Sequence, residues 1–283
     1  MSDNLPDKYP DDSSRRRFVR GVVGASALAG LSTASMPIVE SLTSEPGAGG
    51  GATVYRGAEN IGGPAPRGLP QVPVEVDDEG FLRGIWPDIE MVEREGIEVP
   101  VATMEIAGQT YTSEWFHYCG IQSAPGLSPD ADRDNYLRYS ASSNYDWQNE
   151  QVEGGQRVSV VDFDDYEEWA HPIGSGGLGK GAQTNWRSQD ERGGDVLPVQ
   201  VIRSPIVEEM AEQDDWLGAT TDQGFIAFLN KCTHFCCVPG WKTYRDSVQY
   251  DADDLIYCQC HQSVFDPFSI VTETFFAFPR PED

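Results

Sequence analysis

Residues 232–237 read Cys-Thr-His-Phe-Cys-Cys, and residues 258–263 read Cys-Gln-Cys-His-Gln-Ser. These two segments hold five of the six cysteines and two of the four histidines of the chain. Each offers a thiol and an imidazole two or three residues apart, a spacing at which two side chains of one loop reach one metal centre. Short apolar runs flank them, at 225–229 before the first and at 255–257 and 263–265 around the second. This pattern predicts two metal-binding loops at one end of a small β structure.

The chain is strongly acidic, with 46 Asp and Glu residues against 20 Lys and Arg residues and a formal net charge of −26. Nucleic-acid binding is excluded as a function on this ground, because phosphate contacts need a basic patch. Such a surface suits concentrated salt, where the Debye length falls to about 3 Å and screens the repulsion. The composition therefore favours a halophilic source, and the alternative is an acidic domain from an ordinary organism.

Near the N-terminus, residues 14–20 read Ser-Arg-Arg-Arg-Phe-Val-Arg, and nineteen uncharged residues follow at 21–39. The paired arginines before an apolar run resemble a twin-arginine export signal. As a helix, the run would be about 28 Å long, close to the ~30 Å of a bilayer core. We expect it to stay as a single anchor rather than be cleaved, because residues 34–36, Ala-Ser-Met, are a poor cleavage site. The arginines then place the C-terminal part on the extracytoplasmic face of the cell membrane.

The rest of the chain is divided by composition into three parts. A stretch rich in Gly and Pro reads as a flexible tether, and short β-branched runs become regular only after about residue 156. Strands are predicted at 99–106, 110–117, 158–163 and 199–203. The predicted division is a signal or membrane anchor at 1–43, a tether at 44–73, an additional region of unknown structure at 74–155, and a C-terminal domain at 156–283 with metal loops at 231–241 and 257–266.

Two other motifs receive no chemical role. Residues 174–180, Gly-Ser-Gly-Gly-Leu-Gly-Lys, match a glycine-rich nucleotide loop, but the residues after them predict no helix to bind phosphate, so we interpret them as a flexible loop. His117 and Cys119 form another His-x-Cys pair among aromatic residues, which favours a buried core position. The alternative is that Cys119 forms a disulfide with Cys236.

The metal loops together resemble the Rieske iron–sulfur protein family, whose pattern is Cys-x-His-x-x-Cys followed by Cys-x-Cys-His-x-Ser. The resemblance implies a [2Fe–2S] cluster with Cys232 and Cys258 on one iron and with His234 and His261 on the other. It also implies a mainly β fold, a Rieske-type antiparallel β-sandwich with a small cluster-binding subdomain, preceded here by the signal or transmembrane helix. Tetrahedral zinc is the alternative, although zinc sites of this class place two thiols on one loop and two imidazoles on the other.

The resemblance implies roles for further residues of the two loops. Cys237 and Cys260 are expected to form a disulfide, which is typical of the exported, quinol-oxidising branch of the family. The hydroxyl of Ser263 is expected to donate a hydrogen bond to a cluster sulfur. His234 and His261 are the predicted catalytic residues, because an iron-bound imidazole keeps a titratable N–H, so that electron uptake favours proton uptake.

The function implied is that of a membrane-anchored electron-transfer subunit of a cytochrome bc-type respiratory complex. It would oxidise quinol beside a b-type cytochrome membrane subunit and pass electrons to a cytochrome or blue-copper protein. The alternative is the small Rieske subunit of an arsenite-oxidase-like molybdoenzyme. A structural zinc module is the third hypothesis.

The chain departs from the family pattern at several positions. Phe265 stands where Tyr is common, which predicts a lower potential suited to a quinol such as menaquinone, because one hydrogen bond to sulfur is missing. Cys236 and Gln262 stand where Gly is common, and Gln259 where Pro is common. The family also covers its cluster with a proline-bearing loop, for which residues 278–281, Phe-Pro-Arg-Pro, are the predicted counterpart. Their position near the C-terminus implies that a final strand is absent or supplied from elsewhere.

Overall fold

The structure, a computed structural model, describes residues 51–94 and 97–280. The predicted signal or anchor at 1–43 and the first residues of the predicted tether, 44–50, lie outside the described residues. Strand accounts for 38% and helix for 19%, so the fold is mainly β, as predicted. Within the described part of the chain, no helix is both long and apolar enough to cross a bilayer.

The described residues contain fourteen strands and three short α-helices, with several 3₁₀ turns between them. The strands are β1 (Gly51–Gly62), β2 (Leu69–Val72), β3 (Val74–Val76), β4 (Leu82–Gly84), β5 (Ile89–Arg94), β6 (Ile97–Ile106), β7 (Gln109–Thr112), β8 (Leu137–Tyr139), β9 (Lys180–Trp186), β10 (Leu197–Arg203), β11 (Phe225–Leu229), β12 (Gly240–Trp241), β13 (Ile256–Cys258) and β14 (Ser263–Ala277). The helices are α1 (Asp146–Gln151), α2 (Pro205–Ala211) and α3 (Asp215–Thr220).

One curled antiparallel sheet of nine strands organises the fold, in the order β12-β13-β14-β1-β2-β11-β10-β9-β8. Its two longest strands, β1 and β14, pair from Gly51 opposite Ala277 to Gly62 opposite Val264. A two-stranded sheet (β3-β4) and a three-stranded sheet (β5-β6-β7) accompany it. Of the strands that flank the two metal loops, β12, β13 and β14 form one end of the sheet, whereas β11 lies in its interior.

The predicted tether at 44–73 is wrong for its described part, because residues 51–62 and 69–72 are strands β1 and β2 of the nine-stranded sheet. Tyr55 and Ala58 of β1 are fully buried. Gly57 is required by close packing rather than by flexibility, since a Cβ there would lie 2.2 Å from the carbonyl oxygen of Leu69 on β2. Glycine in this strand marks a place where two backbones approach closely.

The predicted boundary between residues 155 and 156 is also wrong. Strand β8 pairs with β9 across it, and Trp115 packs against Trp216 with ring centroids 5.3 Å apart. One hydrophobic core cluster joins both regions, and the described residues belong to one compact unit. The region 74–155 is thus part of the same domain, because its apolar residues have no core of their own to occupy.

The local strand predictions have mixed outcomes. The predictions at 199–203 and 99–106 are confirmed by β10 and β6, whereas residues 160–163 form a 3₁₀ turn instead of a strand. Of the predicted strand at 110–117, only the first residues belong to β7. After the glycine-rich loop at 174–179 comes strand β9 rather than a helix, which confirms that the loop lacks the context of a nucleotide site.

Candidate metal centre

Both metal loops lead into strands at the β12-β13-β14 end of the nine-stranded sheet. The first loop (residues 231–241) runs from the end of β11 into β12, and the second loop (residues 257–266) connects β13 to β14. Strands β12, β13 and β14 are neighbours in the sheet, and Cys258 pairs with Ser263 where the second loop closes. The sheet thus presents the two loops side by side.

The two loops contain the same backbone turn. The N–H of Cys236 donates to the carbonyl of Cys232 at 3.0 Å, and the N–H of Gln262 donates to the carbonyl of Cys258 at 2.9 Å. Cys236 and Gln262 have φ of 60° and 57°, in the left-handed region that favours glycine. Glycine would adopt this backbone conformation with less strain than either residue does.

In each turn, the thiol at the first position accepts hydrogen bonds from backbone donors of its own loop. Cys232 and Cys258 both accept hydrogen bonds from the backbone N–H groups two and three residues further along the chain. The two thiols also hydrogen-bond each other, and both cysteines are fully buried. Backbone donors directed at sulfur favour the thiolate, which is the form that binds a metal.

The electrostatics of the thiol pair follow from these contacts. The hydrogen bond with Cys258 lowers the pKa of the Cys232 thiol to about 6, although burial opposes the shift, and the backbone N–H groups and the Ser263 hydroxyl lower it further. The same bond raises the pKa of Cys258, and burial adds to that rise. The contacts of the pair thus favour negative charge on Cys232 over Cys258.

The two histidines meet on the outer side of the thiol pair. The rings of His234 and His261 are 4.7 Å apart between centroids and nearly perpendicular. His261 is exposed and His234 is half-buried, with its Nδ1 buried and without a hydrogen-bond partner. An unpartnered buried nitrogen is costly unless a ligand satisfies it. The four predicted ligands are therefore brought together as a thiol pair and an imidazole pair.

This arrangement differs from that of a single tetrahedral ion. Zinc at about 2.3 Å from sulfur and about 2.0 Å from nitrogen would hold its four ligand atoms about 3–4 Å apart. Among the described residues, one group of three or more ligand atoms lies within 4.8 Å of one another, and its members are Cys237, Cys258 and Cys260. Two of those sulfurs are bonded to each other, so they are not available as thiolates. Two separate ligand pairs fit a centre with two metal atoms.

A disulfide joins Cys237 to Cys260, with a Cα–Cα distance of 6.5 Å. The pair predicted from the resemblance is confirmed. The bond connects the last cysteine of the first loop to the second loop, and it lies beside the thiol of Cys258. It therefore fixes the two loops against each other, which holds the ligand pairs in place.

A proline loop (residues 63–67, Gly-Pro-Ala-Pro-Arg) packs on both metal loops. The N–H of Ala65 donates to the hydroxyl oxygen of Ser263 at 3.1 Å, and the hydroxyl of Thr233 donates to the carbonyl of Arg67 at 2.5 Å. The Ser263 hydroxyl hydrogen-bonds the thiol of Cys232 in turn. The proline loop thus contacts the side-chain hydroxyl that hydrogen-bonds the Cys232 thiol.

The predicted position of the proline-bearing loop, at 278–281, is wrong for its described residues. The N–H of Phe278 donates to the carbonyl of His117 at 2.8 Å, and the Arg280 side chain donates to the carbonyls of Gln122 and Ala124. These hydrogen bonds attach residues 278–280 to the segment that contains His117, and not to either metal loop. The strand expected from elsewhere is β1, which pairs with β14 and leads directly into the proline loop.

Sequence reasoning missed the residues that support the first loop from behind. The backing segment (residues 113–128) contains several 3₁₀ turns, and its Tyr118 hydroxyl donates to the carbonyl of Lys231 at 2.9 Å. Cys119 of the same segment donates to the carbonyl of Cys232 at 3.4 Å. The signal in the sequence was the pairing of a His and a Cys among aromatic residues. It predicted a buried position for His117, which is 2% exposed, and only the alternative pairing of Cys119 with Cys236 pointed to the first metal loop.

Replacing His117 by leucine is expected to remove part of the acid sensitivity of folding. Burial lowers the pKa of His117 to about 4, although Glu114 opposes the shift. The unfolded chain, with a pKa near 6.5, binds the proton first, so stability falls as pH drops from about 6.5 towards 4. Between pH 7.5 and pH 5 this amounts to about 2 kcal/mol.

Urea unfolding of the wild type and of His117→Leu at both pH values measures the difference. The variant should lose about 2 kcal/mol less than the wild type on acidification. Parallel losses in the two proteins would show that His117 is protonated in the folded state.

No protein-family model matches this chain, and neither the curated proteins nor the solved structures contain a match to it. Its function is therefore inferred from the two loops themselves. The two loops have the same backbone turn and are connected by a disulfide. Their buried thiols hydrogen-bond each other, and their imidazoles are adjacent.

Proposed function

We propose that this chain is a Rieske-type electron-transfer protein whose two metal loops hold a [2Fe–2S] cluster. Cys232 and Cys258 would bind one iron, and His234 and His261 the other. The observation that carries the proposal is the separation of the four ligands into a buried thiol pair and an outer imidazole pair on two loops with the same turn. The bound cluster would supply one-electron transfer at a potential above that of all-thiolate ferredoxins.

The surroundings of each ligand pair support this proposal. Backbone N–H groups and the Ser263 hydroxyl stabilise negative charge on the sulfurs, and such hydrogen bonds raise the potential of an iron–sulfur centre. The Nδ1 of His234 is buried without a hydrogen-bond partner, and it would be the nitrogen that binds iron, with Nε2 left to exchange a proton. The exposure of His261 gives a proton on its outer nitrogen a path to a donor or to solvent.

A quinol is the proposed electron donor. The ring of Phe235 is 66% exposed and lies 4.3 Å from the ring of His234 and 5.4 Å from that of His261, between centroids. An exposed aromatic beside two imidazoles offers apolar contact to a quinol ring while the imidazoles accept its hydroxyl proton. A b-type cytochrome membrane subunit as partner and a cytochrome or blue-copper protein as acceptor complete the proposal.

Membrane attachment and export rest on residues 14–39 of the sequence alone. We propose a single N-terminal anchor with the cluster domain on the extracytoplasmic face, in a halophilic cell. The disulfide between Cys237 and Cys260 supports an oxidising compartment, since such bonds persist outside the reducing cytosol.

The small Rieske subunit of an arsenite-oxidase-like molybdoenzyme is kept as the second candidate, because the structure shortens the predicted tether. With β1 beginning at Gly51, at most residues 44–50 remain between the predicted anchor and the sheet. A head that shuttles between two sites needs a long flexible connection, whereas a subunit docked in one place does not. Proteins that co-purify from solubilised membranes distinguish the two candidates, as a b-type cytochrome supports the first and a molybdenum-containing subunit the second.

The cluster itself is tested on the purified full chain by metal analysis and by EPR after reduction with dithionite. We expect two irons and two acid-labile sulfides per chain and the EPR signal of a reduced [2Fe–2S] centre. Stoichiometric zinc without an EPR signal would overturn the proposal in favour of a structural zinc module, because zinc has no redox chemistry.

Replacing Phe265 by tyrosine is expected to raise the midpoint potential of the centre. Phe265 is fully buried, pairs with Ile256 across β13 and β14, and lies in the same core cluster as both ligand cysteines. A hydroxyl at this position would donate to a ligand sulfur and stabilise the added electron. Protein-film voltammetry measures the change, with Phe265→Leu as the control for altered packing. An unchanged or lower potential in Phe265→Tyr would contradict the prediction.

A further inference from the structure

We propose that Cys119 and Cys236 form a second disulfide, which bonds the backing segment to the first metal loop. The structure holds both as thiols, and the thiol of Cys119 already reaches the first metal loop, where it donates to the carbonyl of Cys232 at 3.4 Å. The thiol of Cys119 hydrogen-bonds the thiol of Cys236 and accepts a further hydrogen bond from the N–H of Cys236. With two cysteines in the Cys237–Cys260 disulfide and two proposed as ligands, the bond would leave no cysteine of the chain without a role.

The backbone supplies a second, independent observation. Cys119 has φ of 55° and Cys236 has φ of 60°, so both lie in the left-handed region that residues other than glycine rarely adopt. Each position would be less strained with glycine, and glycine is what the family commonly has at position 236. Cysteine at both positions, with the two side chains meeting, is explained by a covalent bond that compensates the strain of both.

The bond would connect parts of the chain that other contacts hold weakly. Besides the thiol contacts, the backing segment reaches the first loop through hydrogen bonds such as that from Tyr118 to the carbonyl of Lys231. Cys237 ties the first loop to the second, while Cys236 would tie it to the backing segment on the other side. Consecutive residues would then anchor the first loop in two directions, which limits the positions that its ligands can adopt.

The chemistry is an ordinary thiol–disulfide exchange with an external oxidant, a low-molecular-weight disulfide or the disulfide of an oxidoreductase. One thiolate of the pair attacks the oxidant and forms a mixed disulfide with loss of one thiol. The second thiolate then attacks the mixed disulfide and releases the other thiol. Two protein thiols are oxidised, one disulfide is reduced to two thiols, and the protons pass from the protein thiols to the released thiols.

The test counts free thiols in the full chain, after incubation with oxidised glutathione, by denaturing in N-ethylmaleimide with a chelator and measuring the mass. We expect two labels, on Cys232 and Cys258, and three labels in Cys119→Ser and in Cys236→Ser. Four labels in the wild type would overturn the proposal. The labelled peptides are identified as well, because in iron-free protein the same oxidant can join Cys232 to Cys258. Labels on Cys119 and Cys236 would overturn the proposal whether or not the loops hold iron, so the test stands apart from that of the cluster.

Peptide mapping identifies the partners. In the variant that lacks both Cys237 and Cys260, a digest should contain one cross-linked pair, the peptide of Cys119 with that of Cys236. The melting temperature of the oxidised wild type should exceed that of the Cys119→Ser/Cys236→Ser variant by roughly 5 °C or more, and mild reduction should remove the difference. Absence of the cross-linked pair in that digest, or its replacement by a mixed disulfide with glutathione on either cysteine, would also overturn the proposal.

Discussion

Replacing Cys258 by serine is expected to abolish iron binding, with retained iron below about a tenth of the wild-type content. The side chain is fully buried, hydrogen-bonds the thiol of Cys232 and accepts hydrogen bonds from two backbone N–H groups. A serine hydroxyl does not ionise near neutral pH, and it is a poor ligand for a site built around thiolates. Loss of one of four ligands leaves the cluster without a complete coordination shell, so metal analysis and EPR should both report its absence.

The matched control is Cys236→Ser. It makes the same replacement of sulfur by oxygen two residues from His234, but it leaves all four candidate ligands in place. Cys236 is half-buried, and we assign it no contact with iron. We expect this variant to keep its iron, and circular dichroism should show the same strand content in both variants. Equal iron loss from both, or full retention of iron in Cys258→Ser, would refute the assignment of ligands.

The disulfide and the meeting of the candidate ligands within each pair could be predicted from the sequence, because most of the information is local. A thiol and an imidazole within three residues of each other can reach one centre whatever the rest of the chain does. The shared turn has the same origin, since the bond from the N–H of Cys236 to the carbonyl of Cys232 spans only four residues. The disulfide needed the resemblance as well, because spacing alone does not decide which of the extra cysteines pair.

The role of residues 51–73 could not be predicted because the partner of each strand is distant in sequence. The glycines around β1 indicate flexibility when considered alone, but β14 lies about two hundred residues further along and supplies the hydrogen bonds that order it. Strand preference depends on such packing more than on intrinsic propensity. The proline loop was predicted after the second metal loop for the same reason. The proline-containing segment that packs on both metal loops precedes them in the chain.

The position of the proline loop gives the second large prediction, the replacement of Gly63 by alanine. Gly63 has φ of +81°, and a Cβ on it would lie 2.3 Å from the carbonyl oxygen of Gln262 and 2.5 Å from the Cα of Ser263. These are backbone atoms of the second metal loop, which have no rotamer by which to move away. Positive φ and the clash together should cost about 2–4 kcal/mol of folding free energy.

The expected result in Gly63→Ala is displacement of the proline loop from the second metal loop. The hydrogen bond from the N–H of Ala65 to Ser263 would then break, and water would reach the buried thiol pair. Iron should therefore pass to an added chelator at least several times faster than in the wild type. Urea unfolding of the same samples gives the loss of stability.

Gly80→Ala separates the effect of the clash from that of the backbone conformation. Gly80 has φ of +82°, nearly the same as Gly63, but a Cβ there would meet nothing within 4 Å. This variant should lose only about 1 kcal/mol, the cost of a left-handed alanine, and should release iron at the wild-type rate. If the two variants behave alike, the contact between the proline loop and the second metal loop does not protect the centre. If only Gly63→Ala releases iron quickly, a segment that reads as a tether is the cover of the site.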